Sequence, residues 1–396
     1  MSVTAPIGFE AAGIACGIKP TGAPDLALVA TNDGRPVAAA GVFTTNRVQA
    51  APVQVSREHL ADGRAVAVVL NSGNANAATG ERGRRDARRM CELTAQSLGC
   101  TPPDVLVCST GLIGVPLTME PIEVGIPKLA ASLGDHGDLA AEAILTTDTR
   151  TKEFTGALEL AEGKIAHVGA MAKGAAMLAP AMATMLAVIT TDLAMPAEVL
   201  GSMLSDAVDD SFHLLSIDGC TSTNDTVLAL ANGAAGNEPI ATGTAAYAQA
   251  ADAFRRACKV LTADMALGAE GRTKVVDIVV TSARTDAEAR LAARQVANSQ
   301  LVQCSLNGGD PYWGRVLSEL GVSGASFDPE RVDISYGGVT VCRDGVATDH
   351  DATALAAVMA SDQVVITCDL RAGDATAKVT TTDLSHAYID ENRRTS

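Results

Sequence analysis

Short apolar runs alternate with longer mixed stretches along the whole chain. Runs rich in Val, Ile, Leu and Ala that are bounded by turn residues predict buried strands, at positions 38–44, 65–70, 105–108, 185–189, 275–281, 332–336, 339–342, 364–370 and 377–381. The stretches between them predict helices, at about 84–98, 195–210, 244–263 and 285–298. This alternation of strands and helices predicts a layered α/β or α+β fold.

Turn sequences between the runs predict which strands are neighbours. Asn32-Asp33-Gly34 and Gly337-Gly338 each stand between two apolar runs, which is typical of a β-hairpin. Residues 153–169 predict a third hairpin with its turn near Glu162-Gly163, and we expect the last two strands to pair with each other. Thr285 and Glu288 have the spacing of a helix capping box.

Composition narrows the class of protein. The 396 residues carry a formal net charge of −16, which argues against a general nucleic-acid binder because neutralising phosphates requires a basic surface. No apolar run reaches the roughly 18 residues that a membrane span needs, and the N-terminus does not have the pattern of a signal peptide. The nine cysteines are scattered without a C-x-x-C pair, which favours reduced thiols in the cytoplasm. We expect no metal and no organic cofactor.

The segment 173–192, KGAAMLAPAMATMLAVITTD, contains the most distinctive candidate chemistry. From the pattern alone, Thr184 is a structural residue at the head of a buried strand. A second interpretation is chemical, because a cut between Ala183 and Thr184 would leave Thr184 with a free α-amine beside its own hydroxyl. Such an amine titrates near pH ~7.7–8.0 and can act as the base for the hydroxyl nucleophile.

Other candidate residues are weaker when each is considered alone. Thr110 and Gly111 follow a short strand, where a backbone N–H and a hydroxyl could form an oxyanion hole, although an ordinary turn has the same sequence. Thr146-Thr147-Asp148 is typical of a helix cap. Glu270 lies among small residues and could bind a substrate ammonium group, but a solvated turn glutamate has the same pattern.

Several segments in order resemble the ornithine acetyltransferase family, the bifunctional glutamate N-acetyltransferases of arginine biosynthesis. They are LNSGNANAATG, KGAAMLAPAMATMLAVITTD, SIDGCTSTND, AEGRTK, DPYWGRV and TDLSHAY. The resemblance implies a chain that cuts itself before Thr184 into residues 1–183 (alpha) and 184–396 (beta). It also implies helices on stacked sheets, similar in outline to N-terminal-nucleophile hydrolases, with a smaller C-terminal α/β part.

The resemblance also assigns roles to the candidate residues. Thr184 would be the acetyl-accepting nucleophile, and Thr110 and Gly111 would stabilise the oxyanion. The substrate-binding residues would be Thr146, Lys173, Thr184, Glu270, Asn392 and a residue of the C-terminal tail, for which we take Ser396 and leave Thr395 open. The chain departs from the family at Tyr312, where Asn is usual, and at Gln303, where Lys is usual. His386 is interpreted as structural.

The implied reaction moves the acetyl group from N2-acetylornithine to glutamate by a ping-pong route through acetyl-Thr184. Whether acetyl-CoA also serves as a donor stays open, as does the choice between arginine synthesis and a specialised pathway. The resemblance further implies a heterotetramer of two alpha and two beta chains. Two alternatives remain: an aminopeptidase or amidase that transfers the acyl group to water, and an uncut, non-enzymatic protein that binds amino acids.

Overall fold

The apolar runs of the sequence form strands that are flanked by helices in a computed structural model, which describes residues 2–160, 163–177 and 185–393. In chain order the strands are β1 (Phe9–Ile14), β2 (Leu26–Thr31), β3 (Val37–Phe43), β4 (Arg64–Ala65), β5 (Ala67–Asn74), β6 (Val105–Leu112), β7 (Lys152–Glu159), β8 (Ile165–Lys173), β9 (Leu186–Thr191), β10 (Thr226–Ala231), β11 (Val275–Ala283), β12 (Asp333–Tyr336), β13 (Val339–Arg343), β14 (Val346–Ala347), β15 (Gln363–Asp369) and β16 (Ala375–Thr382). The helices are α1 (Ala51–His59), α2 (Gly80–Leu98), α3 (Met119–Ala131), α4 (Gly137–Ala143), α5 (Ala197–Asp209), α6 (Ala245–Leu267), α7 (Asp286–Ala297), α8 (Gln300–Asn307), α9 (Trp313–Val322), α10 (Ala352–Ala360) and α11 (His386–Asn392).

Two sheets pack face to face at the centre of the fold. The first has the strand order β1-β2-β5-β6 and the second has the order β4-β3-β10-β9-β8-β7. Their facing side chains share one buried core, to which the first sheet contributes Leu70 and Leu106 and the second contributes Met171 and Leu228. Strands β2, β9 and β10 are buried along their whole length because both of their faces are covered.

Helices cover the two outer faces of this pair of sheets. The outer face of the first sheet packs against α2 and α3 through Met90 and Ile122. The outer face of the second sheet packs against α5 and α6 through Leu204 and Phe254. The resulting order of layers is helix, sheet, sheet, helix, so the predicted arrangement of helices on stacked sheets is confirmed.

A third sheet forms the C-terminal part of the chain. Its strand order is β14-β13-β12-β15-β11-β16, and its core includes residues of α7, α8, α9 and α10. Alternate residues of β11 are buried, which is the pattern of a sheet covered on one face. The predicted smaller α/β part is therefore confirmed.

Two predicted strand pairings are wrong. The chain does turn at Gly34, whose φ of +68° is left-handed, but β2 joins the first sheet and β3 joins the second. Likewise β15 and β16 do not pair, because β11 lies between them and bonds parallel to β15 and antiparallel to β16. In both cases partners distant in sequence decide the pairing.

The remaining local predictions hold with small adjustments. The pairs β7–β8 and β12–β13 are antiparallel hairpins as predicted, although Glu162 lies outside the described residues. The helix expected at 84–98 begins at Gly80. The Thr285 hydroxyl accepts a hydrogen bond from the Glu288 N–H at 3.2 Å, but the Glu288 carboxylate accepts from the Ser326 N–H, so only half of the capping box forms. In the described part of the chain, no helix is long and apolar enough to span a membrane.

Candidate active site

Thr110 and Gly111 lie near the end of β6, beside the parallel strand β5. The strand continues to Leu112, so the predicted turn after residue 108 is wrong. Gly111 pairs with Gly73 and has a φ of +130°. A Cβ at position 111 would lie 2.3 Å from the carbonyl carbon of Gly73. Glycine has no Cβ and is therefore the only residue that avoids this clash. Thr110 is buried, so its hydroxyl is held inside the protein.

Lys173 is the last residue of β8 and contacts Thr110. Its ammonium group is buried and donates a hydrogen bond to the Thr110 hydroxyl oxygen at 3.3 Å. Burial lowers the pKa of Lys173, and the carboxylate of Asp148 opposes that shift. The structure therefore brings together two residues that the sequence predicted as parts of the oxyanion hole and the substrate site.

Asp148 organises the surroundings of Lys173. Its carboxylate accepts hydrogen bonds from the N–H groups of Gly174 at 2.7 Å and Thr146 at 3.2 Å. It also accepts one from Lys152 at 2.6 Å and lies 3.7 Å from the Lys173 ammonium. Burial alone would raise the pKa of Asp148, but the two lysines and these hydrogen bonds lower it to about 2. Because α4 ends at Ala143, residues 146–148 do not cap a helix; Thr147 is exposed there, and the Asp148 side chain is buried.

Glu270 and Asn392 also contact each other. The Asn392 side-chain amide donates to the Glu270 carboxylate at 2.6 Å. The Glu270 N–H donates to the carbonyl of Ala175 at 3.0 Å, two residues after Lys173. Glu270 is 6% exposed, so the solvated-turn interpretation is wrong for this residue.

Helix α11 carries Asn392 over Glu270. The Ser385 hydroxyl caps the helix by accepting from the Tyr388 N–H and donates to the carbonyl of Gly271. Gly271 has a φ of +61° and lies directly against the backbone of residues 387 and 388. His386 is exposed at the start of α11, and its structural interpretation stays a prediction.

Ala183, Thr184, Thr395 and Ser396 lie outside the described residues, so their predicted roles stay predictions. The described residues on either side of the predicted cut are held by two aspartates. The Met185 N–H donates to the Asp225 carboxylate at 2.9 Å. The Met177 N–H donates to the Asp218 carboxylate at 2.5 Å, and the Tyr388 hydroxyl donates to the same carboxylate at 3.1 Å.

The polar segment 216–226 forms a wall of this region, which the sequence alone left open. The Asn224 amide donates to the carbonyls of Ala75 and Ser109, at 2.6 and 2.8 Å. Asp225 is completely buried, and burial raises the pKa of its carboxyl group well above its usual range. One of its carboxylate oxygens has no hydrogen-bond partner among the described residues.

Sequence reasoning missed three charged residues here: Asp225, Asp148 as an ion-pair partner, and Lys152. Lys152 is fully buried against Asp148, yet in the sequence it is only a lysine at the start of a strand. The i, i+4 spacing of Asp148 and Lys152 was the one available signal, and it indicates a contact only in a helix.

The two departures from the family pattern make structural contacts. The Gln303 amide is buried and donates to the carbonyls of Ile217 and Ala297, at 2.7 and 3.1 Å. Tyr312 is half-exposed, and the guanidinium of Arg315 lies 5.4 Å from its ring centre. The Gln303 contacts thus join the C-terminal part of the fold to the segment at Ile217.

The layers of this fold and its buried cluster of lysine, threonine and carboxylate groups define an α/β enzyme with a polar site for a small charged molecule. The chain belongs to the ArgJ family, whose family model matches residues 10–395. This confirms the resemblance inferred from the motifs.

Its relatives match over nearly their whole length. The chain is 48% identical over 393 residues to the arginine biosynthesis bifunctional protein ArgJ of Symbiobacterium thermophilum, covering 98% of this chain and 97% of that protein. It is 46% identical over 398 residues to the protein of the same name from Mycobacterium leprae, covering 98% and 94%. A crystal structure of arginine biosynthesis bifunctional protein ArgJ from Bacillus halodurans aligns with a TM-score of 0.50 and 32% identity, over 52% of this chain and 97% of that one.

Proposed function

We propose that this chain is a self-cleaving glutamate N-acetyltransferase of arginine biosynthesis, which moves the acetyl group of N2-acetylornithine to glutamate. Membership of the ArgJ family over residues 10–395 supports this activity, as do relatives named arginine biosynthesis bifunctional proteins. The observation that carries the proposal is the assembly of Thr110 with Lys173 and of Glu270 with Asn392. These pairs join parts of the chain that are far apart in sequence.

The charges of the assembly fit an amino-acid substrate. Lys173 supplies a buried ammonium group that can attract a carboxylate, and Glu270 supplies a carboxylate that can accept from an ammonium group. Asn392 offers both a donor and an acceptor beside Glu270. Small zwitterionic molecules carry both kinds of charge, so a pair of opposite charges at one site can orient them.

In the first stage, the Thr184 hydroxyl attacks the carbonyl carbon of Ala183, the peptide bond to Thr184 breaks, and an ester replaces it. Water then hydrolyses the ester and releases two chains, 1–183 and 184–396. The new α-amine of Thr184 becomes the base for its own hydroxyl. The hydrogen bond from Met185 to Asp225 holds the residue that follows the nucleophile.

In the second stage, Thr184 attacks the acetyl carbonyl of N2-acetylornithine, and the Thr110 hydroxyl and Gly111 N–H stabilise the negative charge on oxygen. Ornithine leaves with the proton that Thr184 gave up. The amine of glutamate then attacks acetyl-Thr184 and restores the free hydroxyl. Thr146, Lys173, Glu270, Asn392 and Ser396 hold the amino acids during both transfers.

We further propose that the enzyme needs no metal or organic cofactor. Whether acetyl-CoA serves as a second acetyl donor is a separate question for assay. We place it in the cytoplasm as a heterotetramer of two alpha and two beta chains. Support for the cytoplasm comes from the nine cysteines, all within the described ranges and all free thiols. The Bacillus halodurans structure supports two chains. Its chain aligns over 97% of its own length but covers only 52% of this sequence, as one of two cut chains would.

The test measures ornithine release from N2-acetylornithine with and without glutamate, in the wild type, in Thr184→Ala and in the exposed-site control Thr242→Ala. We expect sustained release only with glutamate, lost in Thr184→Ala and kept in Thr242→Ala. Sustained release without glutamate would indicate an amidase instead. Acetyl transfer by Thr184→Ala would contradict the assignment of the nucleophile.

A further inference from the structure

Lys152, Asp148 and Lys173 form a buried cluster with two positive charges and one negative charge. The side chains of Lys152 and Asp148 are fully buried, and that of Lys173 is 2% exposed. Lys152 donates to one carboxylate oxygen of Asp148 at 2.6 Å, and Lys173 lies 3.7 Å from the other. Buried charges are costly unless they are paired, so a second lysine here calls for an explanation.

The contact between Lys173 and Thr110 has a direction that depends on the charge of the lysine. An ammonium group has three donor hydrogens and no lone pair, so it can only donate to the Thr110 oxygen, 3.3 Å away. The hydrogen of the Thr110 hydroxyl must then point elsewhere. A neutral amine has a lone pair and could accept that hydrogen, which would turn the Thr110 hydroxyl away from any developing oxyanion.

We propose that Asp148 and Lys152 are positioning residues that set the protonation of Lys173 and thereby keep the Thr110 hydroxyl free to donate to the oxyanion. This inference rests on the proposed function, in which Thr110 is an oxyanion donor. Neither residue touches the reacting atoms. Both act through Lys173, with opposite effects, because one is an anion and the other a cation.

The charged groups around Lys173 support opposite effects. Burial lowers the pKa of Lys173, Asp148 raises it most, and Lys152 lowers it. The carboxylates of Asp225 and Glu270 raise it to a smaller extent, and Lys19 also lies within electrostatic range. Removing the charge of Asp148 therefore lowers this pKa, and removing the charge of Lys152 raises it.

The test is the pH profile of kcat for N2-acetylornithine and glutamate, normalised to the fraction of cut chains. Activity requires Lys173 to be protonated, so it falls on the alkaline side as Lys173 loses its proton. We expect Asp148→Asn to move this alkaline midpoint to lower pH by about one unit or more. We expect Lys152→Met to move it to higher pH, and the double variant to lie between the two single variants. Lys378→Met, which removes the half-exposed partner of Asp277 on the third sheet, should leave it unchanged.

The outcomes separate this inference from the function on which it rests. If the wild type does not transfer acetyl groups, the proposed function fails. If the wild type is active and the two single variants keep its midpoint or move it in the same direction, the inference is overturned and the function stands. Should Asp148→Asn fail to fold or to cut itself, the upward shift in Lys152→Met decides the question alone.

Discussion

At Gly271, adding a single methyl group should weaken substrate binding and leave the catalytic rate nearly unchanged. It follows Glu270, and a Cβ there would lie 2.1 Å from the nitrogen of Tyr388, 2.6 Å from the carbonyl carbon of Ala387 and 2.6 Å from the Tyr388 Cα. All three atoms belong to the backbone, so no side chain can rotate away. Since ordinary contacts begin at 3.4 Å, the start of α11 must move by more than 1 Å in Gly271→Ala.

That displacement acts on Asn392 at the other end of α11. The Asn392–Glu270 hydrogen bond is 2.6 Å long, and a shift of this size takes it beyond hydrogen-bonding distance. A hydrogen bond to a charged group contributes about 1.5–3 kcal/mol. We therefore expect KM for glutamate to rise at least about tenfold. Because Thr110 and Gly111 belong to β6 and not to the contact between Gly271 and α11, we expect kcat to fall by less than about threefold.

Gly309→Ala is the matched control. Gly309 has a φ of +68°, close to the +61° of Gly271, but an added Cβ would meet nothing within 4 Å. Gly309→Ala should lose about 1–2 kcal/mol of stability from left-handed backbone strain alone, and Gly271→Ala should lose more because its Cβ also clashes with backbone atoms; both losses are measured by denaturant unfolding. Only Gly271→Ala should raise KM. An equal rise in both variants, or a lower KM in Gly271→Ala, would refute the reasoning that α11 holds Asn392 in the substrate site.

Two further predictions concern Thr110 and Asp225. Thr110→Ala should lower kcat by about 10²–10³ because one oxyanion donor is lost, whereas Thr110→Ser keeps a hydroxyl and should stay within about tenfold; equal losses in both would show that the hydroxyl is not the donor. The pKa of Asp225 is raised on folding, so its folded state binds the proton more tightly than the unfolded state and stability declines as pH rises from the unfolded pKa towards the folded one. Asp225→Asn keeps an acceptor for the Met185 N–H and removes this decline. In thermal unfolding between pH 5 and 8, the stability of Asp225→Asn relative to the wild type should therefore increase with rising pH. Parallel curves for the two proteins would contradict the prediction.

Strands and helices could be predicted from the sequence because an apolar run and the residues that end it indicate a buried element locally. The strands at 105–108 and 275–281 and the helix at 285–298 were found for this reason. Pairing could not be predicted in the same way. Gly34 signals a turn but not that the next strand enters a different sheet, and nothing near β15 shows that β11 will separate it from β16.

The residues of the candidate site likewise differ in whether a sequence signal could reveal them. Thr110, Lys173, Glu270 and Asn392 were found through ordered motifs that resemble a family, and their contacts depend on long-range folding. Lys152 had no such signal, because a lysine at the start of a strand is ordinarily exposed. Its burial is accompanied by an ion pair with the Asp148 carboxylate, which is also inside the protein. Asp225 was visible in a polar segment, but its unpaired buried oxygen exists only in the folded chain.

The most direct test of the central claim is the intact mass of the purified protein under denaturing conditions, before and after brief exposure to N2-acetylornithine without glutamate. We predict two chains, with the masses of residues 1–183 and 184–396. The second chain should gain one acetyl group on its N-terminal threonine after exposure and lose it when glutamate is added. A single uncut chain, or an acetyl group that does not reside on Thr184, would contradict the account.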